Sequence, residues 1–181
     1  EKRGENRHFK TYRSIPNSDF EGLAPAGPGR LYGITEDKVP WISVLRLEKT
    51  AGTTTVKLEN LAEIQFPDGL RPWQDDRNFR LEGIALDDRT PKAYLAFERA
   101  ADDLPRILEI SLKGAREGES VSARDLSISF DKVTRRKDKK NSLLNINDIQ
   151  FLRRGEKAWL IALARDQERL LVIDIESARV T

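Results

Sequence analysis

The chain has 181 residues, enough for one domain with a real core and too few for two ordinary ones. Its 32 basic and 30 acidic residues interleave to a net charge of +2, which is not the clustered basic footprint of a nucleic-acid binder. With no cysteine and one histidine, His8, the chain lacks the parts for a disulfide, a thiolate nucleophile, a Ser-His-Asp triad or a multi-histidine metal site. Catalysis, if present, must run on carboxylates, amides, hydroxyls, Lys or Arg.

No apolar run approaches the roughly 20 residues that cross a bilayer, and no signal peptide is visible, so a soluble chain is expected. The sequence starts with Glu and contains no Met, which implies a processed or trimmed N-terminus.

In chain order, "FKTYRSI" (Phe9 to Ile15) reads as a strand able to pair with a neighbouring open edge. Next comes "DFEGLA", where Glu21 and Gly22 stand between Phe20 and Leu23 inside an apolar strand. "RLYGITEDK" and "ISVLRLE" (Ile42 to Glu48) follow as returning strands, and "VKLENLAEIQF" from Val56 supplies another. The order then starts again. "RLEGIA" repeats the Glu-Gly pair as Glu82 and Gly83, about 60 residues after the first. It is followed by "KAYLAFERA", "RILEISL" (Arg106 to Leu112) and "VSARDLSISF" from Val121. A third copy puts Ile146, Asn147, Asp148 and Ile149 where the first has Phe20, Glu21, Gly22 and Leu23. "KAWLIALARD" and "LLVIDIE" (Leu170 to Glu176) complete it.

Connectors such as "PAGPGR", "FPDGLRP" and "LDDRTPK" carry turn chemistry, and helix signals are weak throughout. The basic run "TRRKDKKNS" (Thr134 to Ser142) reads as a solvated loop. A nucleic-acid role would need Arg135, Arg136, Lys137, Lys139 and Lys140 to bind phosphates without aromatic partners for stacking.

The expected fold is therefore all-β: a β-propeller of three four-stranded blade repeats of about 60 residues, spanning roughly 9–66, 67–130 and 131–181. A sandwich also has short strands but does not require a recurring motif. Because propellers close with four to eight blades, three imply half of a six-bladed ring, completed by a second chain or by a longer protein.

If the motif strand is innermost, Phe20/Leu23, Leu81/Ile84 and Ile146/Ile149 pack into the blades while Glu21, Glu82 and Asn147 approach a central channel. Such oxygen donors, with Asn17 and Asn78 each four residues before a Glu, suit calcium. The competing reading has Glu21 and Glu82 capping turns or pairing with Arg30 or Arg80. Gly22 and Gly83 would permit a bulge or a close backbone approach under either reading. A second polar set, Glu36/Asp37, Glu98/Arg99 and Arg165/Asp166, is expected at the hairpin ends between the first and second strands of each copy. There an acid could serve as general base beside Arg99 or Arg165. Hairpin ends are also where solvated charges ordinarily lie.

"DFEGLA" with "YGITED", and "LEGIAL" with "YLAFERA" and "PRILEISL", resemble the phytase-like esterase family and the related SdiA-regulated proteins. "NINDIQ" is similar to the Asn-Asp strand of the calcium-dependent paraoxonase and gluconolactonase propellers. The resemblance covers about half of the chain. It implies a six-bladed, secreted or periplasmic propeller hydrolysing phosphate or carboxylic esters, with Glu21, Glu82, Asn147 and Asp148 as calcium or channel residues. It implies Glu98 and Arg99 as pocket residues, and Glu36 and Asp166 occupy the matching places in the other copies. The third copy lacks the Glu-Gly pair, and a half-ring lacks part of any complete ion shell. The alternative is a non-catalytic propeller that binds a small ligand or a protein partner.

Overall fold

The computed structural model describes residues 20–35, 39–50, 53–70, 81–98, 100, 104–130, 133 and 144–181. These form twelve strands and one short 3-10 turn, in three consecutive antiparallel meanders. The first contains β1 (Phe20–Pro25), β2 (Arg30–Thr35), β3 (Trp41–Thr50) and β4 (Thr53–Gln65). The second contains β5 (Leu81–Leu86), β6 (Lys92–Phe97), β7 (Arg106–Ser111) and β8 (Glu119–Asp125). The third contains β9 (Asp148–Arg154), β10 (Lys157–Ala164), β11 (Arg169–Asp174) and a two-residue β12 (Arg179–Val180).

Short turns enforce the meanders. Between β9 and β10 only Gly155 and Glu156 intervene, with Arg154 paired to Lys157 and Gly155 at φ 62°. A positive φ at the first central position alone is the pattern of a type II′ hairpin, whose twist matches that of its strands. Between β1 and β2, Gly27 and Gly29 take φ values of 109° and 68°, and the Ala26 N–H donates to the Arg30 carbonyl at 2.9 Å.

The outer strands β4 and β8 pair in parallel over Ala62–Gln65 and Glu119–Ser122, joining the first two meanders into an eight-stranded sheet. The strands at its two ends, β1 and β5, lie against each other: a Cβ on Gly22 would come within 2.9 Å of the Ile84 nitrogen. The sheet is thus nearly closed and barrel-like. The third meander forms a separate four-stranded sheet against it.

Two cores fill the spaces between meanders, and β6 serves both. Ala93, Leu95 and Phe97 face the first core with Ile34, Ile42, Ile64 and Ile84. Tyr94 and Ala96 face the second with Phe130, Ile146, Ile149 and Leu160. This explains why "AYLAF" is apolar without alternation: a strand covered on both faces has no polar side. Phe66 meets Phe97 edge-on with centroids 5.5 Å apart in the first core. Tyr94 stacks on Phe151 at 5.7 Å across the second.

The expectation that every motif strand packs both its apolar residues holds for β5 and for the segment leading into β9. There Leu81, Ile84, Ile146 and Ile149 are at most 2% exposed. It fails for Leu23, which is 50% exposed, because the outward face of the first meander has no sheet of this chain over it among the described residues.

Candidate functional site

The Glu-Gly pair is a β-bulge. Phe20 pairs with Thr35 and Gly22 with Ile34, leaving Glu21 as the extra residue. Leu81 pairs with Phe97 and Gly83 with Ala96, leaving Glu82 in the same position. A bulge re-aims the side chain it carries, and both carboxylates are half-buried rather than pointing straight out from the sheet.

The glycine beside each bulge is required by crowding between meanders. A Cβ on Gly22 would lie 3.0 Å from the Gly83 Cα, and one on Gly83 would lie 2.9 Å from the Asp148 Cα and 3.0 Å from the Ile149 nitrogen. Gly22, Gly83 and Asp148 are therefore successive neighbours on three abutting strands. Glu21, Glu82 and Asn147 precede them at equivalent places on one rim. No described strand packs beyond β9, so its third position can carry a side chain, and that side chain is exposed.

At the third position the Asn147 N–H donates to the Leu163 carbonyl at 2.9 Å, and its side-chain Oδ1 accepts from the Arg165 N–H at 3.3 Å. Asp148 turns back on its own strand, where Oδ1 accepts from the Ile149 N–H at 2.8 Å.

The second polar set lies one connection later than its sequence position implied. Glu98 follows β6 and Arg165 follows β10, between the second and third strands of their meanders rather than the first and second. Antiparallel pairing brings that connection back to the start of the motif strand. Phe97 pairs with Leu81 and Leu163 with Asp148, so Glu98 and Arg165 share the rim with Glu82 and Asn147. Two groups separated in sequence thus meet at one end of the molecule.

Asn17, Glu36, Asp37, Asn78, Arg80, Arg99 and the basic run at 134–142 lie outside the described residues. Asp166 sits in the 3-10 turn Arg165–Gln167, with its side chain outside the description.

Pairing of Glu21 with Arg30 is excluded by register. Arg30 stands at the turn end of the β1–β2 hairpin, where its Nη2 donates to the Tyr32 hydroxyl at 3.2 Å and its guanidinium lies 5.2 Å from that ring's centroid.

The rim offers two carboxylates from adjacent bulges, an amide, a third carboxylate from Asp148 and the Glu98 carboxylate. Hard cations and donor-rich ligands favour such oxygens. Among the described residues, however, no three His, Cys, Asp or Glu side chains form a group able to hold a metal ion. The described donors do not by themselves compose a calcium shell.

The opposite end holds a constellation that sequence reading passed over as turn chemistry. Asp87 opens the β5–β6 turn, accepting from the Arg89 N–H at 2.9 Å and from the Thr90 hydroxyl. Arg153 of β9 crosses from the third meander, donating from Nη2 to Asp87 at 2.8 Å and from Nε to Asp88 at 2.9 Å, with its guanidinium 5.1 Å from the Phe151 centroid. Burial alone would raise the Asp87 pKa. The hydrogen bonds from Thr90, the Arg89 amide and Arg153 outweigh it and pull the carboxyl down to about 2. Tyr94 is pushed up to about 12 by burial and by the Glu109 and Asp87 carboxylates.

On the other side of this turn, a cleft of about 550 Å³ lies between the first two meanders, lined by residues including Tyr32, Leu86, Asp88, Thr90, Pro91 and Leu112. The only sequence signal for the constellation was the Asp87-Asp88 pair itself. Nothing local announced that Arg153, over sixty residues away, would meet it.

Comparison of the chain with family models, curated proteins and solved structures finds no match. Class and chemistry therefore rest on the architecture and on the rim.

Proposed function

We propose that the three meanders are consecutive blades of a β-propeller of the phytase-like kind, with the rim bearing Glu21, Glu82, Asn147 and Glu98 taking a phosphate or carboxylic ester for hydrolysis. One observation carries the reading: the Gly22–Gly83–Asp148 contacts line up Glu21, Glu82 and Asn147 on three abutting strands. Successive blades of a propeller place their innermost strands in that relation. The register that sends Glu98 and Arg165 to the same rim supplies an acid and a cation beside the channel donors. In this reading Glu98 accepts a proton from an attacking water, while Glu21, Glu82 and Asn147 orient that water and the ester. Calcium is the cation this oxygen-rich set would recruit, with further donors completing its shell. A bound ion would polarise the ester and the attacking water.

A second reading is a propeller that binds a ligand without turning it over, supported by Asn147 and Asp148 being engaged by backbone N–H groups of the chain itself. Melting in calcium against chelator, together with turnover of aryl phosphates and aryl esters, separates the two. A ligand that binds only the native state raises its melting temperature. The hydrolase reading expects both stabilisation and turnover, abolished in Glu98→Gln. Stabilisation by calcium or by a polar ligand without turnover assigns the binding module. Absence of any calcium shift removes the ion.

A further inference from the structure

Both end meanders turn an apolar face outward. On the third, Leu152, Trp159, Ile161, Leu163, Leu170 and Val172 occupy one face, as the pairings Trp159–Leu152, Ile161–Val172 and Leu163–Leu170 require. Leu152 is 50% exposed and Leu170 69%. Strand β10 is apolar on both faces, as β6 is, yet only its Leu160, Ala162 and Ala164 side is buried. Its composition belongs to a strand covered twice.

On the first meander, Leu23, Leu47 and Val56 share a face with Gly33, Ser43 and Leu45; the Phe20 ring folds over Gly33, Ser43 and Leu45 are buried, and the exposed apolar surface lies at the margins of the face. Leu23 and Val56 are about half exposed there.

We infer that these two faces are the halves of one interface between two copies of this chain, the third meander of each packing on the first meander of the other. The inference rests on the blade reading above, since it extends to a second chain the face-to-face packing the meanders already use within one. Two-fold symmetry covers both faces of both copies and leaves none over, as a closed dimer requires.

The area is sufficient. At roughly 120 Å² of apolar surface per fully exposed branched side chain, the exposed fractions on the two faces leave about 400 Å² bare per copy. It divides into about 230 Å² on the third meander and about 170 Å² on the first. Covering both copies doubles it before the half-buried Phe20, Trp159 and Ile161 and the polar rim are counted, and a stable interface of about 1,200 Å² lies within reach. Asp148, standing where β1 and β5 have glycine, holds the second copy's β1 further from β9 than β5 sits from β1.

The test is native mass of the full chain across micromolar concentrations, for the parent, Leu170→Glu and Leu23→Glu, with far-UV circular dichroism and melting to confirm that each remains folded. Both positions are exposed, so folding should survive. The parent is expected to be a dimer and each variant to dissociate more than tenfold more readily. An equimolar mixture of the two variants should recover heterodimer, because one of its two joints is then unmodified. A monomeric parent overturns the proposal. So does a dimer broken by Leu170→Glu but indifferent to Leu23→Glu, which would be third meander on third meander. Ester turnover, measured on the same samples, reports separately on the hydrolase reading, and a dimer without turnover leaves the interface standing. Blade packing within one chain is tested independently by the Gly22 and Gly83 substitutions described below.

Discussion

Replacing Arg153 by Leu removes the shortest side-chain contacts between the third meander and the β5–β6 turn of the second, leaving the exposed Arg89–Glu156 pair at 3.5 Å. Asp87 is 4% exposed at its side chain and Arg153 13%, so their 2.8 Å contact is close to a buried ion pair. Breaking such a pair commonly costs about 3–5 kcal/mol when the remaining charge is stranded. Asp87 keeps its bonds from Thr90 and the Arg89 amide, which lowers the cost to about 1–2 kcal/mol. Loss of the guanidinium over Phe151 adds about 0.5–1 kcal/mol. Asp88 is 60% exposed and adds nearly nothing.

The expected total is about 1.5–3 kcal/mol, or roughly 3–12 °C in melting temperature for a chain of this size. Acid titration gives an independent check. The Asp87 carboxyl is lowered in the fold, so its contribution is fully present above its ordinary pKa of 3.8 and is lost as pH falls from about 4 to about 2. The size of that loss is roughly 2 kcal/mol at 1.36 kcal/mol per pKa unit. In Arg153→Leu this share of the acid-dependent loss should shrink, and in Asp87→Asn it should vanish, leaving the share of other lowered carboxylates such as Asp174. Urea unfolding of the three proteins at pH 7, 4 and 2 measures all of this. A variant that melts within 2 °C of the parent, or one whose acid dependence is unchanged, refutes the idea that this contact holds the third meander in place.

Gly83→Ala and Gly22→Ala should each destabilise by about 2–3 kcal/mol in denaturant unfolding, because the added methyl meets backbone of the next strand at 2.9 Å. Gly33→Ala should cost less, about 1 kcal/mol, since the nearest atoms are those of the movable Phe20 ring. Equal costs at the three positions would contradict the abutting-strand geometry. Leu160→Ala, in the second core, should cost about 2–5 kcal/mol by thermal melting, whereas Leu170→Ala on the outward face should stay within about 1 kcal/mol in the dissociated chain. Glu21→Gln and Glu82→Gln should leave melting in chelator nearly unchanged while reducing any calcium-induced rise. An unaltered rise would move the ion away from this rim.

Strand content and order were readable because alternation, β-branched residues and Gly/Pro/Asp turns are local properties. "ISVLRLE", "RILEISL" and "LLVIDIE" became β3, β7 and β11 with ends shifted by at most a few residues. The recurrence of Glu-Gly was also local, and both copies proved to be bulges. Sequence could not place the polar pairs after the second strand in the right connection, since the strand count depended on where each meander began. Nor could it distinguish a bare face from a covered one. Leu23 and Ile84 occupy matching motif positions, yet one is half exposed and the other fully buried.

By itself, then, the sequence determined an all-β chain with three motif strands, each carrying a polar residue at one place, because backbone preference and side-chain period act over a few residues. Only tertiary structure decided that Gly22, Gly83 and Asp148 are neighbours and that Glu98 joins the rim of Glu82. It also decided that Arg153 reaches Asp87 across a core and which faces are left bare. Each of these depends on sheets packing against one another, and packing is fixed by the whole set of faces at once rather than by any stretch of residues.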